Sequence, residues 1–188
     1  MSWTFPNLLS FGRIALVPVF VIALFQGRPA RALAILVIAG ITDFLDGMLA
    51  RYLHQESRLG AALDPIADKL LLTTAFVMLT LPGLHAGVQI PVWVTVLVIA
   101  RDVAILVVAM AMFLTVGISS FPPVPLSKVN TAAQILAVSL ALASGLVAGL
   151  ETATRLCLYL VAVLTVVTGF HYALRSDKLI EGAPDATT

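Results

Sequence analysis

Charge is scarce in this sequence. Asp, Glu, Lys and Arg together make up 11% of 188 residues, and the formal net charge is +1. Against 60% hydrophobic residues and a mean hydropathy of +1.05, that shortage puts the chain in the membrane class before any motif is considered. The near-neutral balance gives no sign of nucleic-acid binding, and no nucleic acid is expected as a partner. Cysteine is almost missing. Cys157 stands alone, so no intramolecular disulfide can form, and its apolar neighbours mark it as packing. The histidines His54, His85 and His171 have no metal-ligand spacing and read as loop or interfacial residues. No low-complexity tract, no detectable repeat and no room for a separate soluble domain are present, so residues 1–188 read as one membrane domain. No basic leader or small-residue cleavage site opens the chain, and no signal peptide is expected.

What is present is a series of apolar runs. Residues 1–7 are short and amphipathic: Trp3 and Phe5 suit a membrane interface, and Pro6 suits a helix's first turn. Apolar spans follow at about Leu8–Phe25, Ala32–Leu53, Leu59–Leu81, Ile90–Val116, Leu126–Leu150 and Thr152–Leu174. A polar tail from Arg175 to Thr188 is expected to fray. Spans of about 20 residues are what a bilayer requires. The expectation is an all-α integral membrane protein of six transmembrane helices with a short N-terminal interfacial segment. Six spans place both termini on one side. That side collects Arg51, Arg58, Lys128, Arg175 and Lys178, with Arg13 near it, whereas the other has Arg28, Arg31 and Arg155. The excess favours termini in the cytoplasm.

The charge that does occur is concentrated. The stretch DFLDGMLARYLHQESRLGAALDPIAD carries Asp43, Asp46, Asp64 and Asp68 within apolar sequence. Asp43 and Asp46 are three residues apart, and Asp64 and Asp68 are four apart, so each pair shares a helix face. The polar run Tyr52–Arg58 reads as a tight turn. About a centre at Gln55, Asp46 mirrors Asp64, Asp43 nearly mirrors Asp68, and Ala50 mirrors Gly60. An antiparallel hairpin would bring the four acids together, with small residues allowing close backbone approach. Such a cluster cannot stay ionised in apolar surroundings without protons or cations. Oxygen-only ligands favour hard ions such as Mg2+, Mn2+ or Ca2+. A pair of divalent ions would balance the charge and suit in-line displacement at phosphorus. A proton or sodium pathway would also use intramembrane acids, and a cation carrier stays open on spacing alone.

Gly47, Ala50 and Arg51 follow Asp46 on nearly the same face. A glycine there would leave space for a ligand, although helix packing asks for the same small residues. Arg51 suits a phosphate or interfacial snorkelling. Arg101 lies mid-span, where a charge needs a partner. Asp102 is adjacent, points elsewhere on a helix and reads as a poor partner, so Arg101 reads as a site for an anionic substrate. Lys128, Thr131 and Gln134 fall at three-residue spacing in SKVNTAAQ, with Asn130 on the same helix. A polar stripe of this kind glues helices or lines a cavity.

The pattern Asp43-x2-Asp46-Gly47-x2-Ala50-Arg51-x8-Gly60-x3-Asp64-x3-Asp68 resembles the complete signature of the CDP-alcohol phosphotransferases. Every signature position matches, and the likeness extends to PNLLSFGR (Pro6–Arg13) and to the six-span plan. The resemblance implies an integral membrane enzyme, usually a homodimer, that moves a substituted phosphate from a CDP-linked donor to an alcohol and releases CMP. It implies that Asp43, Asp46, Asp64 and Asp68 bind two divalent cations, Mg2+ or Mn2+, and that Asp68 is also the general base. Asp43, Gly47, Ala50, Arg51 and Gly60 match positions that hold the cytidine diphosphate. Arg101-Asp102 and the run Leu126–Gln134 look like the CMP-forming cardiolipin synthases, where phosphatidylglycerophosphate synthases tend to show Arg-Glu and Gly-Lys-x-Lys-Thr. The donor implied is CDP-diacylglycerol. The acceptor implied is phosphatidylglycerol, giving cardiolipin, with glycerol-3-phosphate the alternative. Arg101 and Lys128 would hold the acceptor phosphate. The expected location is a bacterial inner membrane, with the active site facing the cytoplasm.

Overall fold

A computed structural model describes the backbone of residues 5–53, 58–84, 87–116 and 125–181, and the side chains of residues 12–42, 69–84, 87–107 and 127–170. Residues 1–4, the turn around Gln55 with His54, and His85 lie outside the described residues. The described residues form six helices and no strand: α1 Phe5–Phe25, α2 Pro29–Leu53, α3 Arg58–Thr80, α4 Val92–Val116, α5 Pro125–Ala143 and α6 Glu151–Glu181. They divide into two compact units. One comprises Met1–Ile90 and Ala137–Thr154; the other comprises Pro91–Leu136 and Arg155–Thr188.

In the first unit α1 packs against both α2 and α3. The α1–α2 connection follows from local chemistry. Gly27 takes a φ of 63°, which a left-handed helix cap requires and glycine tolerates. The Arg28 N–H then donates to the Ala23 carbonyl at 3.0 Å and the Gly27 N–H to the Leu24 carbonyl at 2.9 Å, closing a Schellman motif. Pro29 begins α2, where its missing N–H costs nothing, and the Arg28 carbonyl accepts from Arg31 and Ala32. Phe20, Leu24, Ala32, Leu36, Ala75 and Phe76 form the core of this trio.

The loop after α3 is held by the end of α5. Gln89 Nε2 donates to the Thr80 carbonyl at 2.8 Å and the Ile90 N–H to the Leu79 carbonyl at 3.0 Å, satisfying carbonyls that the helix end leaves open. Gly87, at φ 134°, lies so close that a Cβ would overlap the Ala141 carbonyl oxygen. The Val88 N–H donates to the Ser144 hydroxyl at 2.8 Å, which donates on to the Ala141 carbonyl at 2.7 Å.

The helix ends depart from the hydropathy runs in two places. α5 stops at Ala143 rather than Leu150. Gly145 and Gly149 fall in that stretch, Gly149 has a positive φ, and Ser144–Val147 form turns back to Leu140–Ala143. Apolar residues such as Leu146 and Val147 kept the hydropathy high, but backbone preference ended the helix. α6 instead continues past Arg175 to Glu181, where a frayed tail was expected. Leu, Arg, Lys and Glu in that segment are good helix formers.

Large apolar side chains cover the outside of the helices, while several polar ones lie buried beside the apolar core. On α6, Leu156, Tyr159, Leu160, Val163, Val166, Val167 and Phe170 are exposed, Phe170 by 67%. The opposite face buries Thr154, Thr165 and Thr168 beside Cys157, Leu158, Val161 and Ala162. Across the described residues, Arg13, Thr95, Arg101, Asn130 and Gln134 are also buried. Glu151–Phe170, 20 residues, is long and apolar enough by length and composition to cross a membrane; Gly12–Phe25, Pro29–Thr42 and Lys69–Thr80 are shorter apolar helical stretches.

Candidate active site

The aspartates sit on two helices that share a neighbour. Asp43 and Asp46 lie in the C-terminal half of α2, and Asp64 and Asp68 in the N-terminal half of α3. α1 packs on both. Each pair keeps the helical spacing that puts it on one face. Gly47, Ala50 and Arg51 continue α2, and Gly60 opens α3 two residues after its start. The side chains of residues 43–68, the four aspartates and Arg51 included, lie outside the described residues.

Immediately before Asp43, the Thr42 hydroxyl lies 3.0 Å from the Ile38 carbonyl and 2.9 Å from the Ala39 carbonyl. Back-bonding of this kind slightly bends a helix, here at the entry to the acidic stretch. Arg13 on α1 is only 2% exposed. It precedes Gly27 by 14 residues and Asp43 follows Gly27 by 16, so the hairpin register puts this guanidinium close to the level of the first aspartate. A lone charge inside an apolar run is its only local signal, and packing against the neighbouring helices buries it.

Among the described residues no three His, Cys, Asp or Glu side chains gather as a metal site. The donor chemistry of the four aspartates, oxygen alone in two helical pairs, fits hard divalent cations.

The second unit holds the other predicted residues. Arg101 on α4 is 7% exposed. Its Nη1 donates to Asp102 Oδ1 at 2.8 Å, and its Nη2 to the Ser127 hydroxyl on α5 at 2.8 Å. The ion pair corrects the expectation that Asp102 is a poor partner. Successive Cβ atoms on a helix do diverge, but the long arginine stem turns its guanidinium back across that angle. Gly169 on α6 lies against this stem: a Cβ built there would sit 3.9 Å from Arg101 Cγ. Lys128, next to Ser127, is exposed.

Ser127, Asn130 and Gln134 line one face of α5, and Asn130 and Gln134 are 0% and 2% exposed. The Thr165 hydroxyl on α6 donates to Asn130 Oδ1 at 3.3 Å. Thr131 instead turns outward and donates to the Ser127 carbonyl at 3.1 Å, so the three-residue stripe Lys128–Thr131–Gln134 divides into exposed and buried members. The sequence suggested Arg101 and Gln134; the partner roles of Ser127 and Thr165 depend on residues 26 and 35 positions away and carried no local signal.

Exposed apolar helix faces, buried polar side chains and two acidic pairs on α2 and α3 place the described residues in an all-helical class whose acids are set in apolar sequence. The family model for CDP-alcohol phosphatidyltransferase matches residues 3–169. The chain belongs to the CDP-alcohol phosphatidyltransferase family. It is 32% identical to a cardiolipin synthase (CMP-forming) of Rattus norvegicus over 96% of this chain and 65% of that protein. It is 36% identical to a "Probable phosphatidylglycerophosphate synthase" of Mycobacterium tuberculosis over 94% of this chain and 83% of that protein. It is 38% identical to a CDP-diacylglycerol--glycerol-3-phosphate 3-phosphatidyltransferase of Cereibacter sphaeroides over 74% of this chain and 63% of that protein. The chain therefore spans less than two thirds of the length of the rat and C. sphaeroides relatives.

Proposed function

We propose that this protein is an integral membrane phosphotransferase that moves the phosphatidyl group of CDP-diacylglycerol to a hydroxyl of phosphatidylglycerol, giving cardiolipin and CMP. The observation that carries this reading is the unbroken aspartate signature, split between α2 and α3 against a shared α1. The apolar outer faces of the helices support the membrane setting. Large apolar side chains such as Phe25, Leu106 and Phe170 are about two-thirds exposed while Asn130, Gln134 and Arg101 are buried. A water-soluble surface has the reverse preference, whereas a lipid-facing one requires this. In this reading α1 to α6 all cross the bilayer of a bacterial inner membrane, the protein works as a homodimer, and the α2–α3 turn faces the cytoplasm.

Two divalent cations, Mg2+ or Mn2+, held by Asp43, Asp46, Asp64 and Asp68, would neutralise the diphosphate and orient it for in-line displacement. Asp43, Gly47, Ala50, Arg51 and Gly60 bind the cytidine diphosphate, the glycines and alanine through close backbone approach and Arg51 by pairing with phosphate oxygen. Asp68 takes the proton of the acceptor hydroxyl. The acceptor oxygen bonds to the phosphatidyl phosphorus as the bond from that phosphorus to the CMP oxygen breaks, and CMP leaves with the electron pair. Arg101 and Lys128 hold the acceptor phosphate.

A second acceptor, glycerol-3-phosphate, is favoured by the C. sphaeroides relative, which is named for it. Purified protein given CDP-diacylglycerol with either acceptor decides between them. Cardiolipin and CMP are expected with phosphatidylglycerol. Product from glycerol-3-phosphate alone would reassign the acceptor, and no CMP from either would sink the reading. Asp68→Asn is expected to lower CMP release by about a thousandfold without loss of fold.

A further inference from the structure

The second unit contains buried hydrogen-bond donors that the fold does not use. Arg101 Nε, Asn130 Nδ2 and Gln134 Nε2 are buried and have no hydrogen-bond partner among the described residues. Such orphans are rare in proteins, because each forfeits its hydration without return. These three lie along one line. Arg101 meets α5 at Ser127. Asn130 is one turn further along the same face, and Gln134 one turn beyond that. Side chains on a helix lean toward its N-terminus, so the Gln134 amide leans toward Asn130 and Arg101. All three orphaned atoms are N–H groups, so their complement supplies acceptor oxygens: phosphate oxygen at Arg101 and a hydroxyl oxygen, whose two lone pairs can accept from both amides, at Asn130 and Gln134.

We infer that Asn130 and Gln134 hold the secondary hydroxyl of the acceptor's phosphoglycerol group, making them specificity-determining residues for that acceptor. The inference rests on the reading above, in which Arg101 and Lys128 hold the acceptor phosphate. A glycerol carbon chain running from that phosphate along α5 brings the hydroxyl not consumed in the reaction one turn deeper, to the amides. Phosphatidylglycerol and glycerol-3-phosphate both present that hydroxyl, so the site selects the phosphoglycerol unit rather than the lipid attached to it.

The test combines Gln134→Leu with acceptors that lack the secondary hydroxyl, phosphatidyl-1,3-propanediol and 3-hydroxypropyl phosphate. In the wild type, the acceptor that supports CMP release should lose about tenfold in kcat/KM when that hydroxyl is removed. Gln134→Leu should raise KM for the natural acceptor by about as much, leave KM for CDP-diacylglycerol unchanged, and no longer discriminate between the natural and deoxy acceptors. Its thermal midpoint without acceptor should be unchanged or higher, because leucine removes a buried donor that nothing satisfies. Equal discrimination by wild type and variant overturns the inference, as does an unchanged acceptor KM, since the amides then hold water or neighbouring helices. Gln134→Met serves if the leucine variant does not fold. Should the wild type release no CMP, the enzyme reading fails on its own. Acceptor-induced thermal shifts of wild type and variant, with phosphatidylglycerol or glycerol-3-phosphate against the matching deoxy analogue, then decide this inference separately.

Discussion

Arg101 joins two helices through a single side chain. Its guanidinium spans Asp102 on its own helix and Ser127 on α5, both at 2.8 Å, from a position 7% exposed. A planar fork reaches both at once, and an ammonium does not. Arg101→Lys is therefore expected to keep the charge but lose one of the two contacts. It should cost about 1–2 kcal/mol of stability and raise the acceptor KM by about tenfold. Thermal melts in detergent and acceptor-dependence of CMP release check the two effects. A variant with wild-type stability would mean that the Ser127 contact is dispensable. Arg101 as a charge in need of a partner was legible in the sequence, because an unpaired cation among apolar residues is costly. Its pairing with Asp102 was not. Helical periodicity gives the direction of a Cβ, not the reach of a long side chain.

Helices were legible as runs, and their ends only where chemistry marks them. Pro29 and Gly27 mark the α1–α2 turn by what their backbones allow. The end of α5 shows the opposite. Hydropathy carried the helix to Leu150, whereas Gly145 and Gly149 released the chain into turns after Ala143. The loop before α4 depends on that early stop, because Gly87 and Val88 dock on Ala141 and Ser144. Gly87→Ala would put a methyl into the Ala141 carbonyl and strain a φ of 134°. It is expected to destabilise the protein by about 2 kcal/mol or more, read as a lowered thermal midpoint. An unchanged midpoint would show that the loop can lift from α5 without loss.

For the whole molecule, the proposed orientation follows from where the basic residues fall and from the number of helices. A cysteine introduced as Gln55→Cys should be labelled by an impermeant maleimide only from the cytoplasmic face, and Arg28→Cys only from the opposite face. Labelling of both from one side would mean that α2 does not cross the membrane. Cys157 is buried on α6, so the Cys157→Ser background removes a competing thiol at little cost in contact.

The sequence alone determined the helical class, the placement of the acidic pairs on α2 and α3, and the family signature. Each of these depends on local spacing, which the chain carries in its own order. Only the tertiary structure decided that Arg13 is buried, that Ser127 receives Arg101, and that Asn130 faces Thr165 while the neighbouring Thr131 faces out. Whether a polar group on a helix is buried depends on which other helix comes to cover it, and no periodicity within one helix encodes that neighbour.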